Sequence, residues 1–163
     1  MPSRNSKAAD DFWIEKTRLP LTLSLIGGEQ LRGSIFVQPS AYRHLGREEP
    51  SDVFNAVEPF FPMQLDDGEE VVLIAKDRVI EVSGIPLGDD SGRRPTGVPM
   101  ALVQVVLSGG ETRIGSIRLE IDMAGPRVLD FLNHCTDRFV PLYMADGIRL
   151  VNRSLIDRIS PLE

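Results

Sequence analysis

Apolar and polar positions alternate with a period of two at Leu21, Leu23 and Leu25, and again at Val103, Val105 and Leu107. That is the period of a strand with one buried face. Each run stops at a Gly-Gly pair, Gly27-Gly28 or Gly109-Gly110, which supplies the positive φ angles a tight hairpin needs. A second strand follows over 31–37 or 113–121, with Gly33 or Gly115 early in it. A glycine inside a strand marks a bulge or a close backbone approach. Further on, 60–65, 70–76 and 79–83 predict three more strands, with 139–144, 148–152 and 154–160 as counterparts.

Between the hairpin and the third strand each half holds a short helical segment. In the second half Pro126 fits its first turn, and Val128, Leu129 and Leu132 form an apolar stripe. In the first half Ser51 is the expected cap, Asp52 sits near the positive end, and Pro59 stops the helix.

Laid over itself, the chain places 21–35 on 103–117 without a gap, and Leu25, Gly27, Gly28, Glu29, Gly33, Ser34 and Ile35 each meet an identical residue. The match continues through Asp52 and Asn55 on Asp130 and Asn133, Pro62 on Pro141, and Asp67-Gly68 on Asp146-Gly147. It ends with Leu73-Ile74, Val79 and Val82 on Leu150-Val151, Ile156 and Ile159. Self-similarity at this level predicts one unit used twice. The expected organisation is a tail over 1–17, a unit over 18–83, a linker over 84–99 and a second unit over 100–163. The fold class is all-β with short helices, as two tandem five-stranded barrels. Units of this size have small cores, so the two are expected to pack together.

Composition excludes the special classes. The chain has 163 residues, 14 Gly and 12 Pro, and no apolar run near the roughly 20 residues that span a bilayer. The polar segment 1–11 has no signal-peptide core, so a cytoplasmic protein with no membrane partner is expected. With 18 basic against 24 acidic residues the net charge is -6, and the basic residues form no stripe. Nucleic acid is therefore disfavoured as a partner. One cysteine, Cys135, and two histidines make neither a disulfide nor a zinc site. Cys135 is read as a buried, inert thiol. His134 beside it is not a catalytic partner, since adjacent side chains point apart and the first half has Ala56 and Val57 there. No nucleophile elbow, phosphate loop or metal pair is present, so neither catalysis nor a cofactor is expected.

The candidate binding residues are those that distinguish the halves. Arg138, Arg149, Arg153 and Arg158, with Asn152, gather basic and polar groups on the last strands of the second unit, where a solvated sheet face is the ordinary reading and an anion or partner site the alternative. Phe12-Trp13-Ile14 is read as an N-terminal segment docked on the barrel, and Trp13 in such a tail can also anchor a partner. Phe60, Phe61 and Phe139 are read as core. The repeated pairs Asp52 with Asn55 and Asp130 with Asn133 lie three apart on one helical face and are read as bonding main-chain groups at the helix ends. Arg127 is placed to pair with Asp130.

The order of strand, glycine turn, glycine-bearing strand, Asp and Asn, then Leu150-Val-Asn-Arg-Ser-Leu-Ile156 with Ile159 resembles Sm-like small β-barrels, an SH3-like architecture. The resemblance implies a strongly bent five-stranded sheet with open edges. Open edges are templates for another strand. The function expected is a non-catalytic protein-binding or assembly module that meets a protein partner, or another copy of itself as an oligomer, through sheet edges. The alternative is an Sm-like RNA or nucleotide binder using the second-unit arginines.

Overall fold

The computed structural model describes residues 17–38, 48–86 and 98–162. The first half folds as β1 (Thr17–Leu25), β2 (Gln30–Val37), α1 (Pro50–Asn55), β3 (Phe60–Leu65), β4 (Val71–Ala75) and β5 (Val79–Ile85). The second folds as β6 (Met100–Leu107), β7 (Thr112–Arg118), α2 (Val128–His134), β8 (Phe139–Met144), β9 (Gly147–Asn152) and β10 (Ile156–Pro161). A 3-10 turn, Lys76–Arg78 or Arg153–Leu155, leads into β5 and β10 respectively.

The protein is all-β, but its strands form one continuous antiparallel sheet. The strand order is β10-β6-β7-β8-β9-β5-β1-β2-β3-β4, and the two outer strands are not paired with each other. The halves meet through strand pairing between β5 and β9, so the sheet runs on between them and does not close as two barrels. Main-chain groups left unpaired at an edge find partners most directly on another edge, which is the physical reason for the merger. Within each half the order is the same: β5-β1-β2-β3-β4 beside β10-β6-β7-β8-β9.

The hairpins form where the glycines predict them. Gly27, Gly28, Gly109 and Gly110 all have φ between 92° and 103°, and the Leu25 and Leu107 amides donate to the Glu29 and Glu111 carbonyls across the turns. Gly33 and Gly115 are points of close approach: a Cβ on Gly33 would sit 2.2 Å from the Gln64 carbonyl oxygen, and one on Gly115 would sit 2.8 Å from that of Tyr143. Each glycine lets β2 or β7 bend onto the next strand.

Two cores result. One gathers Leu21, Leu23, Ile35, Val37, Phe54, Phe61, Met63, Val79 and Val82 of the first half together with Phe139, Ile148 and Leu150 of the second. The other gathers Val103, Val105, Leu107, Ile117, Phe131, Val140, Leu142 and Val151. The first half's core thus includes three side chains from its neighbour.

Several local expectations change. The cap of α1 is Glu49, with Pro50 rather than Ser51 opening the helix, and the cap of α2 is Arg127, one residue beyond Pro126. Pro50 fits the first helical position because it lacks an N–H that would go unpaired there. The buried face of α2 is Val128 and Phe131, while Leu129 is 57% exposed. Phe60 is 56% exposed, whereas Phe61 and Phe139 are core. Cys135 is half-buried, not buried. β7 stops at Arg118 rather than running to Ile121: the Leu119 amide makes one more bond in the β6 register, to the Pro99 carbonyl, and the Ile121 amide then bonds locally to the Leu119 carbonyl. β5 runs on through Gly84 to Ile85, into the segment expected to link the halves; residues 87–97 of that segment lie outside the described residues.

Candidate functional site

The junction between the halves is built from both main chain and side chains. β5 and β9 pair with Glu81 opposite Val151, Val82 opposite Leu150 and Ile85 opposite Ile148. Beside this ladder the Phe139 ring, fully buried, meets Phe54 edge-on with centroids 5.2 Å apart. Asn55 fixes its position. Its Nδ2 donates to the Phe139 carbonyl at 3.1 Å and its Oδ1 accepts from the Phe139 amide at 2.7 Å. On the other side Asn152, 1% exposed, donates to the Val79 carbonyl at 2.9 Å and accepts from the Ser154 amide at 3.1 Å.

Lys76 is enclosed at the same junction and donates from Nζ to the Ala56 carbonyl at 3.0 Å. Burial lowers its pKa below the ordinary 10.5; the Arg138 charge acts in the same direction and Glu58 opposes it. A folded-state value below the unfolded one means that the unfolded chain binds more protons in the interval between them. Stability then rises as pH climbs through that interval toward 10.5. Lys76→Met is expected to flatten this rise in denaturant midpoint relative to wild type; parallel curves would show that the amine carries no such cost.

The acid at the centre of the junction is Glu81, whose side chain is 3% exposed. Arg113 Nη2 lies 2.7 Å and Arg149 Nη1 3.0 Å from its Oε1, and Arg113 Nε lies 3.3 Å from its Oε2. Hydrogen bonding to Glu81 raises the Arg113 pKa further above its ordinary value. A buried carboxylate left alone would be costly, and two guanidiniums from the other half satisfy it. The residue-type pattern held a signal for this: Glu81 is the one charge in the β5 run Val79-Ile-Glu-Val82.

The remaining candidate arginines are distributed as follows. Arg138 Nη1 donates to Asp77 Oδ1 at 2.8 Å across the junction. Arg153 Nε donates to the Asp137 carbonyl at 3.1 Å. Arg158 pairs with its neighbour Asp157 at 2.9 Å, both well exposed. The five residues Arg138, Arg149, Asn152, Arg153 and Arg158 are therefore not brought to one patch; Arg138, Arg149 and Asn152 join the halves. Trp13 lies outside the described residues.

Of the repeated polar residues, the two aspartates bond main-chain groups at the helix starts, as expected, while Asn55 bonds the main chain of Phe139 instead of a helix end. Asp52 Oδ2 accepts from the Glu49 amide at 2.8 Å, and Asp130 Oδ2 accepts from the Arg127 amide at 3.0 Å. Arg127 Nε also reaches Asp130 at 3.0 Å, and this hydrogen bonding holds the Asp130 carboxyl below its ordinary pKa. Asn55 spans the junction as described, while Asn133, its counterpart, is exposed. His134 Nδ1 is 2.7 Å from the Asp130 carbonyl, and the Cys135 thiol is directed to the Asp137 carbonyl at 3.9 Å. Among the described residues no three His, Cys, Asp or Glu side chains converge as a metal site, and no helix is long and apolar enough to cross a membrane.

Exposed apolar groups occur at both outer edges of the sheet, as well as at Ile26, Val57, Leu102, Ile114 and Met123 away from them. β4, the run Val71-Val-Leu-Ile-Ala75, has neither charge nor proline, and among the described residues it pairs only with β3. Its Val71 and Leu73 are 51% and 72% exposed, next to Phe60 at 56%. The matching residues of the second half, Ile148, Leu150 and Phe139, are 9%, 2% and 0% exposed, because the first half covers them. At the opposite end, among the described residues, β10 pairs only with β6. Between β10 and α2 lies an open pocket of about 330 Å³, lined by Val128, Leu129, Leu132, Ile156, Ile159 and Pro161, with Arg153, Asp157 and Arg158 at its polar positions.

Comparison with protein-family models, with curated proteins and with solved structures found no match.

Proposed function

We propose that this protein is a non-catalytic assembly module, made of two duplicated small barrels of Sm-like kind, that associates through its open sheet edges. The observation that carries this reading is the β5–β9 junction. There the chain already uses edge pairing, with Phe139 as an apolar plug, to hold two halves together. Strands of the same order are left open at both ends of the sheet. An edge such as β4, apolar and without the charges or prolines that usually block pairing, favours strand addition. The identical strand order of the halves and the paired glycine bends support the duplicated-barrel description.

Light scattering over a wide concentration range tests the association. The mass is expected to exceed that of one chain and to rise with concentration, and Leu73→Lys, at a position already exposed, is expected to lower it while the far-UV spectrum stays unchanged. A mass fixed at one chain throughout would overturn the reading. Salt-sensitive retention of a mixed RNA pool by that monomer would favour nucleic-acid binding instead.

A further inference from the structure

We infer that the pocket between α2 and β10 receives the N-terminal segment 10–15 of a second copy of this chain, with Trp13 seated against Leu129 and Leu132. This goes beyond the edge reading above, because a side chain that enters a pocket needs no strand pairing.

The first half shows what such a pocket takes. Its groove between α1 and β5 is filled: the Phe139 ring comes from outside that half and meets Phe54 edge-on with centroids 5.2 Å apart, in one core with Val79 and Val82 of β5. In the second half Leu132 stands at the position of Phe54, and Ile156 and Ile159 stand at those of Val79 and Val82. Among the described residues no aromatic side chain lines this space, and its volume is about 330 Å³. That lies at the small end of the range of roughly 300–1,000 Å³ found for pockets that enclose a ligand. Phe12 and the single tryptophan of the chain, Trp13, belong to segment 10–15, outside the described residues.

The charges match as well. Arg153, Arg158 and Asp157 hold the polar positions of the pocket. Arg153 gives its Nε to the Asp137 carbonyl, a neutral acceptor, and among the described residues no carboxylate pairs with its charge. Arg158 is paired with its exposed neighbour Asp157, and surface pairs of that kind are worth little. Segment 10–15 reads Asp-Asp-Phe-Trp-Ile-Glu, an apolar centre with acids on both sides. Its carboxylates suit the arginines, and its rings suit the apolar wall between them.

The segment comes from another molecule because its own β1 is too far away. Thr17 opens β1, and three residues at about 3.3–3.6 Å each place Ile14 no farther than roughly 11 Å from it. In the sheet β6, β7, β8, β9 and β5 lie between β10 and β1, which makes six spacings of about 4.8 Å measured along the sheet. The two ends also belong to different cores: Leu21 and Leu23 of β1 lie in the first, whereas Leu132, Ile156 and Ile159 pack on the second.

Trp13 is the one tryptophan, so its own emission reads the contact. In wild type the emission is expected to move to shorter wavelength as protein concentration rises, and in Leu129→Asp to stay at the water-exposed wavelength throughout. Leu129 is 57% exposed, so this variant keeps its fold, which circular dichroism checks. A fluorescein-labelled peptide of residues 8–16 is then titrated into full-length Trp13→Ala, whose own segment no longer competes. Saturable binding is expected. Leu129→Asp in the protein, or Trp13→Ala in the peptide, is expected to weaken it by about thirtyfold or more, the loss typical of a buried tryptophan anchor. Arg153→Glu combined with Arg158→Glu is expected to weaken it too, by a factor that shrinks as salt is raised. Leu73→Lys, at the far edge, is expected to leave peptide binding unchanged, so failure of edge assembly and failure of this pocket are read separately. An emission that is the same at every concentration overturns the exchange between copies. A peptide that does not bind, or that binds Leu129→Asp equally well, overturns the pocket as its place.

Discussion

Phe139→Ala is expected to cost about 3–5 kcal/mol of folding stability, while Phe60→Ala, at the matching position, stays within about 1 kcal/mol of wild type. The two residues open equivalent strands, yet Phe139 is fully buried and Phe60 is 56% exposed. Removing the Phe139 ring leaves a cavity against Phe54 where the halves meet, and the first core loses a side chain that its own segment does not supply. Urea unfolding of the two variants, at a dilution where wild type is a single chain, reads the difference directly. Equal losses would mean that the halves do not depend on this plug. A second transition appearing only in Phe139→Ala would show the halves unfolding separately once the plug is gone.

Gly33→Ala is expected to be the other large loss. Its Cβ would stand 2.2 Å from the Gln64 carbonyl oxygen and 2.9 Å from Met63 Cε, and the nearer atom is main chain held in the β2–β3 ladder. Nothing flexible can yield at that distance, so β2 must shift away from β3. Overpacking of this kind costs about 3 kcal/mol or more, roughly 6–12 °C in Tm for a chain of this length. Gly115→Ala is expected to cost less: its nearest contacts, at 2.8 Å, are the Tyr143 carbonyl and the movable Leu142 side chain. Thermal melts of both variants check the order, and a Gly33→Ala melt within about 2 °C of wild type would mean that the bend is softer than its geometry implies.

The functional surfaces were only partly legible in the sequence. The asymmetry between Phe60 and Phe139 has no local trace, since each begins a similar strand with an apolar neighbour and a proline soon after. Which of them is covered depends on which half lies beside it. The arginines of the second half stood out as a concentration of charge, but their partners Glu81 and Asp77 lie far away in the first half. Charge density along the chain reports where cations are, not which acids meet them after folding. Leu129 was expected on the buried face of α2 because spacing alone cannot tell the core side from a side facing an open pocket.

The features legible along the chain are local. Alternation set the strands, Gly-Gly set both hairpins, Gly33 and Gly115 marked the close approaches, and the overlay of the halves anticipated the common strand order. These features act over a few residues, through φ angles, side-chain period and the space one Cβ occupies. That the strands run as one open sheet, with the halves joined by β5 and β9 and plugged by Phe139, emerges from the assembled fold. Edge pairing is made by main-chain N–H and C=O groups that every residue except proline carries alike, so side-chain pattern leaves the choice of partner edge open. That choice is settled when the whole surface is assembled, and it leaves β4 and β10 as the two edges still exposed.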